Sequence, residues 1–281
     1  MGLELRYQMK PTIVRVLLML AISGAYSQTF ETKDEFKKYF DEAGVQGSFA
    51  VYDLKRDRYV LINSEQFEQP FVPASTFKIC NSLIGLETGV IPNEHFVLKW
   101  DGMKRQVASW NADQDLQTAY KNSTVWYYQE LARRVGGKRM KIWLAKANYG
   151  NSDTSGGIDL FWLTGGLRVT PMEQIDFLKR LHQDQLPFSD RSVRIVKKIM
   201  VEEQTPDYTL RTKTGWGERA GQNVGWYIGY VTKKDNDYFF ATCIQTSDPD
   251  EGFPKYRKTI TRKILTELGV IQSPEIQPKK H

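Results

Sequence analysis

Apolar and polar positions along this chain form three successive patterns, and their order sets the architecture. Near the N-terminus, aromatic residues recur at helical spacing among charges from Lys33 to Ala43 (KDEFKKYFDEA), which predicts an amphipathic helix with Thr32 as N-cap. Two β-rich runs follow, Gly47–Asp53 (GSFAVYD) and Arg58–Asn63 (RYVLIN), joined by a charged turn at Leu54–Asp57 as a hairpin. From Ser75 to Val201 the period becomes helical, with helices expected at Thr76–Glu87, Thr124–Val135, Arg139–Ala147, Pro171–Gln183 and Val193–Val201. Strand signals rich in Tyr, Phe, Ile and Val return at Tyr208–Thr214, Val224–Thr232 and Tyr238–Thr246, and a last helix spans Lys255–Leu268. Strands at both ends around a helical block predict an α+β fold, not a parallel βαβ sheet. The terminal segments combine into one antiparallel sheet, with the helical region alongside.

Composition adds bounds. A chain of 281 residues with 41% apolar content can bury a sizeable core at the upper limit of one domain, and no repeat or Pro/Gly-rich linker divides it. The net charge of +6 is spread along the chain without a basic run or aromatic-interleaved stripe, which argues against a nucleic-acid partner and suits a small anionic substrate. Arg6, Lys10 and Arg15 precede the apolar run Val16–Ala25, and Ala25-Tyr26-Ser27 form a small-x-small site before Gln28. That is the anatomy of a secretory signal over residues 1–27, leaving residues 28–281 as a single catalytic domain exported to a bacterial periplasm. The run is shorter than the ~20 apolar residues of a spanning helix, so no stable membrane insertion is expected. Oligomeric state is not readable here. Cys80 and Cys243 sit in apolar surroundings and read as buried thiols, although export would permit a disulfide. His95, His182 and His281 are scattered without metal-ligand spacing, which disfavours a zinc hydrolase.

Ser75-Thr76-Phe77-Lys78 opens the first long helical stretch. A first turn leaves backbone N–H groups unpaired, and the helix dipole there favours developing negative charge. Lys78, three residues on, projects from the same face as the Ser75 hydroxyl, as a base beside a nucleophile would. S-x-x-K arises by chance about once in a chain this long, and a capping serine with a solvated lysine is its ordinary explanation. Lys213-Thr214-Gly215 ends a strand signal and offers a fixed cation, a hydroxyl and a glycine that lets substrate lie against the strand edge. Its ordinary explanation is a turn between strands. Ser123 heads a helical stretch 48 residues after Ser75 and offers a second hydroxyl for proton relay; Ser109, in Ser109-Trp110-Asn111, is its rival from a polar loop.

S-x-x-K, a second serine and K-T-G, in that order, form the pattern of serine β-lactamases and penicillin-binding proteins. The chain resembles class D, oxacillinase-type β-lactamases across essentially its whole mature length. The resemblance is carried by Pro73–Gly89, Ser123–Val125 (STV), Tyr149–Asn151 (YGN), Ser155–Leu163 (SGGIDLFWL), Lys213–Trp216 (KTGW) and Tyr256–Leu265. No S-D-N motif or separate glutamate base of class A is apparent. The resemblance implies the serine β-lactamase/transpeptidase fold, with Ser75 acylated by the lactam carbonyl. It implies Lys78 carrying CO2 as a carbamate, the general base for acylation and deacylation, with CO2 or bicarbonate as the one accessory molecule and no metal. An amine with apolar neighbours is costly to charge, so its neutral, CO2-reactive form is accessible near neutral pH. Val125, where related enzymes carry asparagine, would keep the pocket dry together with Phe77, Trp162 and Leu163, and the Trp162 indole would donate to the carbamate. The oxyanion hole falls on the N–H groups of Ser75 and Trp216, and substrate binding on Lys213, Thr214, Gly215 and Arg257, with Arg257 as forked donor to the substrate carboxylate. Tyr149 in the YGN motif is read as architectural. The competing readings are a penicillin-sensing receptor domain and a D,D-peptidase, both acylated without turnover.

Overall fold

The computed structural model describes residues 28–272; the signal expected over residues 1–27 lies outside them. Strand β1 (Thr29–Thr32) runs into a 3-10 turn at Asp34–Phe36 and then α1 (Lys38–Glu42). The continuous helix expected over Lys33–Ala43 is therefore broken, and Thr32 ends a strand instead of capping a helix. The cause is tertiary: Lys33 N–H donates to the Leu61 carbonyl at 2.9 Å, extending strand pairing to the point where the helix should begin. The expected hairpin forms as β2 (Gln46–Asp53) and β3 (Arg58–Ile62). A 3-10 turn at Ala74–Phe77 leads into α2 (Lys78–Glu87), followed by α3 (Leu116–Lys121), α4 (Val125–Val135), α5 (Gly137–Ala147), α6 (Pro171–His182) and α7 (Asp190–Ile199). The chain closes with β4 (Val201–Gln204), β5 (Tyr208–Arg219), β6 (Gln222–Lys233), β7 (Asp237–Thr246) and α8 (Phe253–Glu267).

Local chemistry explains several boundaries. Thr170 and Glu173 form a reciprocal capping box around Pro171, which fixes the start of α6. Helix α7 begins three residues before the expected Val193, because the Ser189 side chain accepts from Ser192 N–H. It ends before Val201, which belongs to β4. Strand β5 runs five residues past Thr214, so K-T-G lies within a strand and not in a turn, and β5 passes into β6 through a tight hairpin. Ala220 and Gly221, both at positive φ, make its corner.

The seven strands form one sheet in the order β1-β3-β2-β7-β6-β5-β4. Every pairing is antiparallel except β1 with β3, which departs from the all-antiparallel expectation at one edge. Side chains alternate strictly between two cores. Ala50, Tyr52, Trp226, Ile228, Phe239 and Cys243 enter the core shared with α2 and α4–α7, whereas Phe49, Val51, Tyr227, Phe240 and Ile244 enter the core shared with α1 and α8. Helix α2 is buried along nearly its whole length within the first core. Cys80 and Cys243 are buried, unbridged thiols. No helix among the described residues is long and apolar enough to cross a membrane.

Strand β4 stops early, and this sets up the site. It pairs with β5 only at Thr209–Arg211, and beyond Thr212 no strand among the described residues covers the outer edge of β5.

Candidate active site

The turn at Ala74–Phe77 packs against the face of β5 at a glycine. A Cβ on Gly215 would stand 2.9 Å from the Pro73 carbonyl and 3.1 Å from Thr76 Cγ2, so this approach requires the missing side chain. Thr76 donates its hydroxyl to the Pro73 carbonyl at 2.7 Å and accepts from Gln174 of α6 at 2.8 Å, which pins the turn from behind. Ala74, just before the nucleophile candidate, has φ of 48°, and Ser123 has φ of 53°. Left-handed backbone at a non-glycine residue costs on the order of 1–3 kcal/mol, and two such positions flank one cluster of side chains. Ser123 is held there by its own N–H to the Tyr120 carbonyl and by Thr124 N–H to the Ala119 carbonyl. It precedes the N-cap of α4 and joins α3 to that helix.

The cluster is a continuous row. Lys78 Nζ lies 2.5 Å from Ser75 Oγ and 3.3 Å from Ser123 Oγ, and Lys213 Nζ lies 3.1 Å from the same Ser123 oxygen. Ser109, the rival second serine, is exposed in a separate 3-10 turn, and its carbonyl accepts from Gln114. Lys78 is wholly buried, and no ion pair to a carboxylate reaches it among the described residues. Burial, with a smaller contribution from the neighbouring Lys213 charge, holds its amine well below the usual lysine value. Lys213 is lowered to about 7 by burial first, then by Arg257 and Lys258, against the opposing pull of Glu202. Both amines lie over tyrosine rings, Lys78 over Tyr128 and Lys213 over Tyr120, each 5.4 Å from the centroid.

Sequence reasoning passed over these two tyrosines and Glu202. Tyr120 fastens α3 to β5 by donating its hydroxyl to the Thr212 carbonyl at 2.9 Å. Tyr128 sits 2.9 Å from Ser82 Oγ, whose hydroxyl donates to the Lys78 carbonyl. Helical periodicity places them only as core aromatics, because nothing in sequence spacing reports a ring under a remote amine.

The open edge of β5 carries its own donors. Thr212 N–H points outward to the Met200 carbonyl at 2.9 Å, and the two-residue repeat of a strand turns the N–H and C=O of Thr214 and Trp216 toward that same edge. Their side chains lean toward α8, where the Trp216 ring packs 5.8 Å from Phe253. Trp216 is 46% exposed, and its indole donates to Asn223 at 2.9 Å. Arg257 of α8 donates from Nη1 to the Gly215 carbonyl at 2.9 Å, while its buried Nε has no partner among the described residues. Burial lowers its guanidinium to about 10.

Behind the row, Trp162 is fully buried 5.3 Å from the Phe77 ring and 4.9 Å from Phe161. Its indole N–H has no acceptor among the described residues, an unusual cost for a buried donor. Leu163 is half-buried; its carbonyl comes within 3.7 Å of a Cβ placed on Gly217, which sets it beside β5. Val125, also half-buried, is the first residue of α4. The YGN segment ties the intervening turns together. Asn151 accepts from Arg168 N–H and donates to the Gly166 carbonyl, and Gly150 at positive φ presses against the Arg168 carbonyl.

Comparison with known proteins bears on this geometry. The family model for the penicillin binding protein transpeptidase domain matches residues 30–266. The beta-lactamase OXA-48 of Klebsiella pneumoniae is 40% identical over 258 residues, covering 91% of this chain and 97% of that protein. The crystal structure of a class D beta-lactamase from Nostoc superposes with a TM-score of 0.82 at 44% identity, covering 85% of this chain and all of that one. The chain belongs to the class D β-lactamases. Among the same structural relatives is the C-terminal domain of the Bacillus licheniformis BlaR penicillin-receptor, 31% identical with a TM-score of 0.82 over 87% of this chain and 98% of that one. The class D scaffold thus also occurs in a receptor, and what separates the two must lie in the site's chemistry, not its fold.

Proposed function

We propose that this protein hydrolyses β-lactam antibiotics through a covalent acyl-enzyme on Ser75, with Lys78 as the general base, and thereby confers resistance. The observation that carries the reading is the buried contact of 2.5 Å between an amine held below its usual pKa and the hydroxyl beside it. Lys78 takes the Ser75 proton as Oγ attacks the lactam carbonyl. The N–H groups of Ser75 and Trp216 hold the oxygen that becomes negative, and their backbone positions need no reorganisation as charge develops. Collapse breaks the ring C–N bond, and Ser123, bridging both lysines, passes a proton to the departing nitrogen. Lys213, Thr214 and Arg257 hold the substrate carboxylate. Water then attacks the ester carbonyl as Lys78 removes its proton, and Ser75 is regenerated.

The residues also fit a carboxylated lysine. A neutral, buried Lys78 amine can add CO2 with release of one proton, and the Trp162 N–H is a buried donor without an acceptor among the described residues. When present, the carbamate would supply an anionic base within the pocket that Phe77, Trp162, Leu163 and Val125 keep apolar. Export to the periplasm, read from residues 1–27, would place the enzyme where these drugs act.

The test is turnover by the purified mature protein. Many cycles with a chromogenic cephalosporin, and recovery of activity on adding bicarbonate after exposure to low pH, are expected. A burst of one equivalent followed by a stable adduct in the mass spectrum would assign the chain to the sensor or peptidase class. Ser75→Ala should abolish both adduct and turnover; full turnover by that variant would remove the nucleophile assignment.

A further inference from the structure

A cavity of about 610 Å³ continues the open edge of β5 past Lys213, away from Ser75. Lys213 and Thr214 line one end; Lys121 of α3, Lys198 of α7, Glu202 of β4 and Lys258 of α8 line the rest. Its volume is that of a small-molecule site. Its charge is unbalanced. Lys258 pairs with Glu202 at 3.1 Å and Lys198 with Glu94 at 2.9 Å, while among the described residues neither Lys121 nor Lys213 makes an ion pair, Lys213 meeting the Ser123 hydroxyl, the Thr214 carbonyl and the Tyr120 ring. Both Lys121 and Lys198 are exposed, so their ammonium groups can meet a ligand.

The direction of the strand says which part of a substrate reaches this cavity. With the lactam oxygen at the Trp216 N–H and the ring carboxylate at Lys213 and Thr214, the bicyclic nucleus lies along the edge from position 216 toward position 212. In a cephalosporin the C3 substituent is on the carbon next to the one that bears the carboxylate, and the acylamino side chain hangs from the lactam ring at the opposite end. The C3 substituent therefore faces the cavity. We propose that the cavity beyond Lys213 is a subsite for the C3 substituent that favours cephalosporins carrying a second anionic group there, with Lys121 and Lys198 as the groups that attract it. This specificity rests on the catalytic reading of Ser75 and Lys213 above. Because both lysines are solvent-facing, the attraction is modest and weakens as salt is added.

The test uses two cephalosporins that differ only at C3, one ending in a carboxylate and the other in its uncharged methyl ester. For the unaltered protein at low ionic strength, kcat/KM should favour the anionic compound by about tenfold, and the preference should shrink in 0.5 M salt, on the order of what two exposed charges supply. Lys121→Glu combined with Lys198→Ala should bring the ratio to one or below. General losses of folding or turnover cancel in the ratio, so each compound serves as control for the other. A ratio near one in the unaltered protein, or a preference kept by the double variant, overturns the subsite while leaving the hydrolase reading intact. Turnover of neither compound overturns both.

Discussion

Two clusters on opposite faces of the sheet treat charge in opposite ways. On the α8 face, Glu202 and Glu203 of β4 meet Lys258 and Arg262 of α8 at 3.1 and 2.6 Å, and Glu202 also accepts from Tyr227 and Thr212. On the helical face, Lys78 and Lys213 share one serine oxygen, and the described residues bring no carboxylate into contact with either. Paired charges cost little and hold elements together. Two buried amines side by side are a thermodynamic burden, and such a burden is expected where proton affinity itself is the working property.

The sharpest way to break this contrast is to remove the burden. Lys78→Ala should lower turnover by roughly 10³-fold or more, as loss of a positioned base does. Lys78→Met should have the same kinetic defect yet melt at a higher temperature near neutral pH. The sign follows from linkage. The unfolded chain binds a proton with the ordinary lysine value of 10.5, whereas the folded chain holds this amine well below it. Native Lys78 therefore destabilises the fold most at pH values beneath its own folded pKa, and the penalty fades as pH rises toward 10.5. A Met variant that melts lower than the parent across that range would contradict the burden.

Trp162→Phe keeps an aromatic ring and removes the indole N–H, which has no acceptor among the described residues. The bicarbonate concentration giving half-maximal activity should rise roughly ten- to hundredfold, the worth of one hydrogen bond to a charged group. An unchanged bicarbonate dependence would leave Trp162 as packing alone.

Glu202→Gln tests the boundary between the faces. Lys213 feels Arg257 and Lys258 from α8, which lower its proton affinity, and Glu202 from β4, the acidic neighbour that raises it, while the Tyr120 ring of α3 faces the amine. Above pH of about 7 Lys213 loses its charge, so KM for an anionic β-lactam should climb with pH. The glutamine variant should begin that climb at a pH lower by roughly half a unit to one unit. A pH profile of KM for both proteins decides it. The smallest effect belongs to the partly buried pair between Arg262 and Glu203 on the paired face: Arg262→Gln should cost about 1 kcal/mol in denaturant unfolding and leave kcat/KM where it was.

Much of this was legible in the residues, unevenly. Helices with strong apolar stripes, such as α4 and α6, fall within one residue of their expected ends, and the strands of the hairpin and of the C-terminal meander lie where the β-rich runs are. Short elements did not announce themselves. β1 and β4 are four-residue strands with mostly exposed side chains, and α3 is six residues in what read as a polar loop. Each exists because a neighbour supplies hydrogen-bond partners, which no local period encodes. At the site, Ser75, Lys78, Ser123 and Lys213 could be named because motif spacing fixes them on single elements. Tyr120, Tyr128 and Glu202 could not, since their roles arise where separate elements meet. The positive φ of Ala74 and Ser123 was equally invisible, as neither residue type advertises a left-handed backbone.

The uncovered margin of β5 has a consequence for how this protein can change. Its hydrogen-bonding groups at positions 214 and 216 are main-chain groups, present whatever amino acid is encoded there. Side chains around the mouth can therefore drift, one codon at a time, and reshape what enters while those main-chain groups persist. A lineage under shifting antibiotic pressure would find variation cheap at Trp216 and costly at Gly215, where any side chain would collide with the turn at Ala74–Phe77.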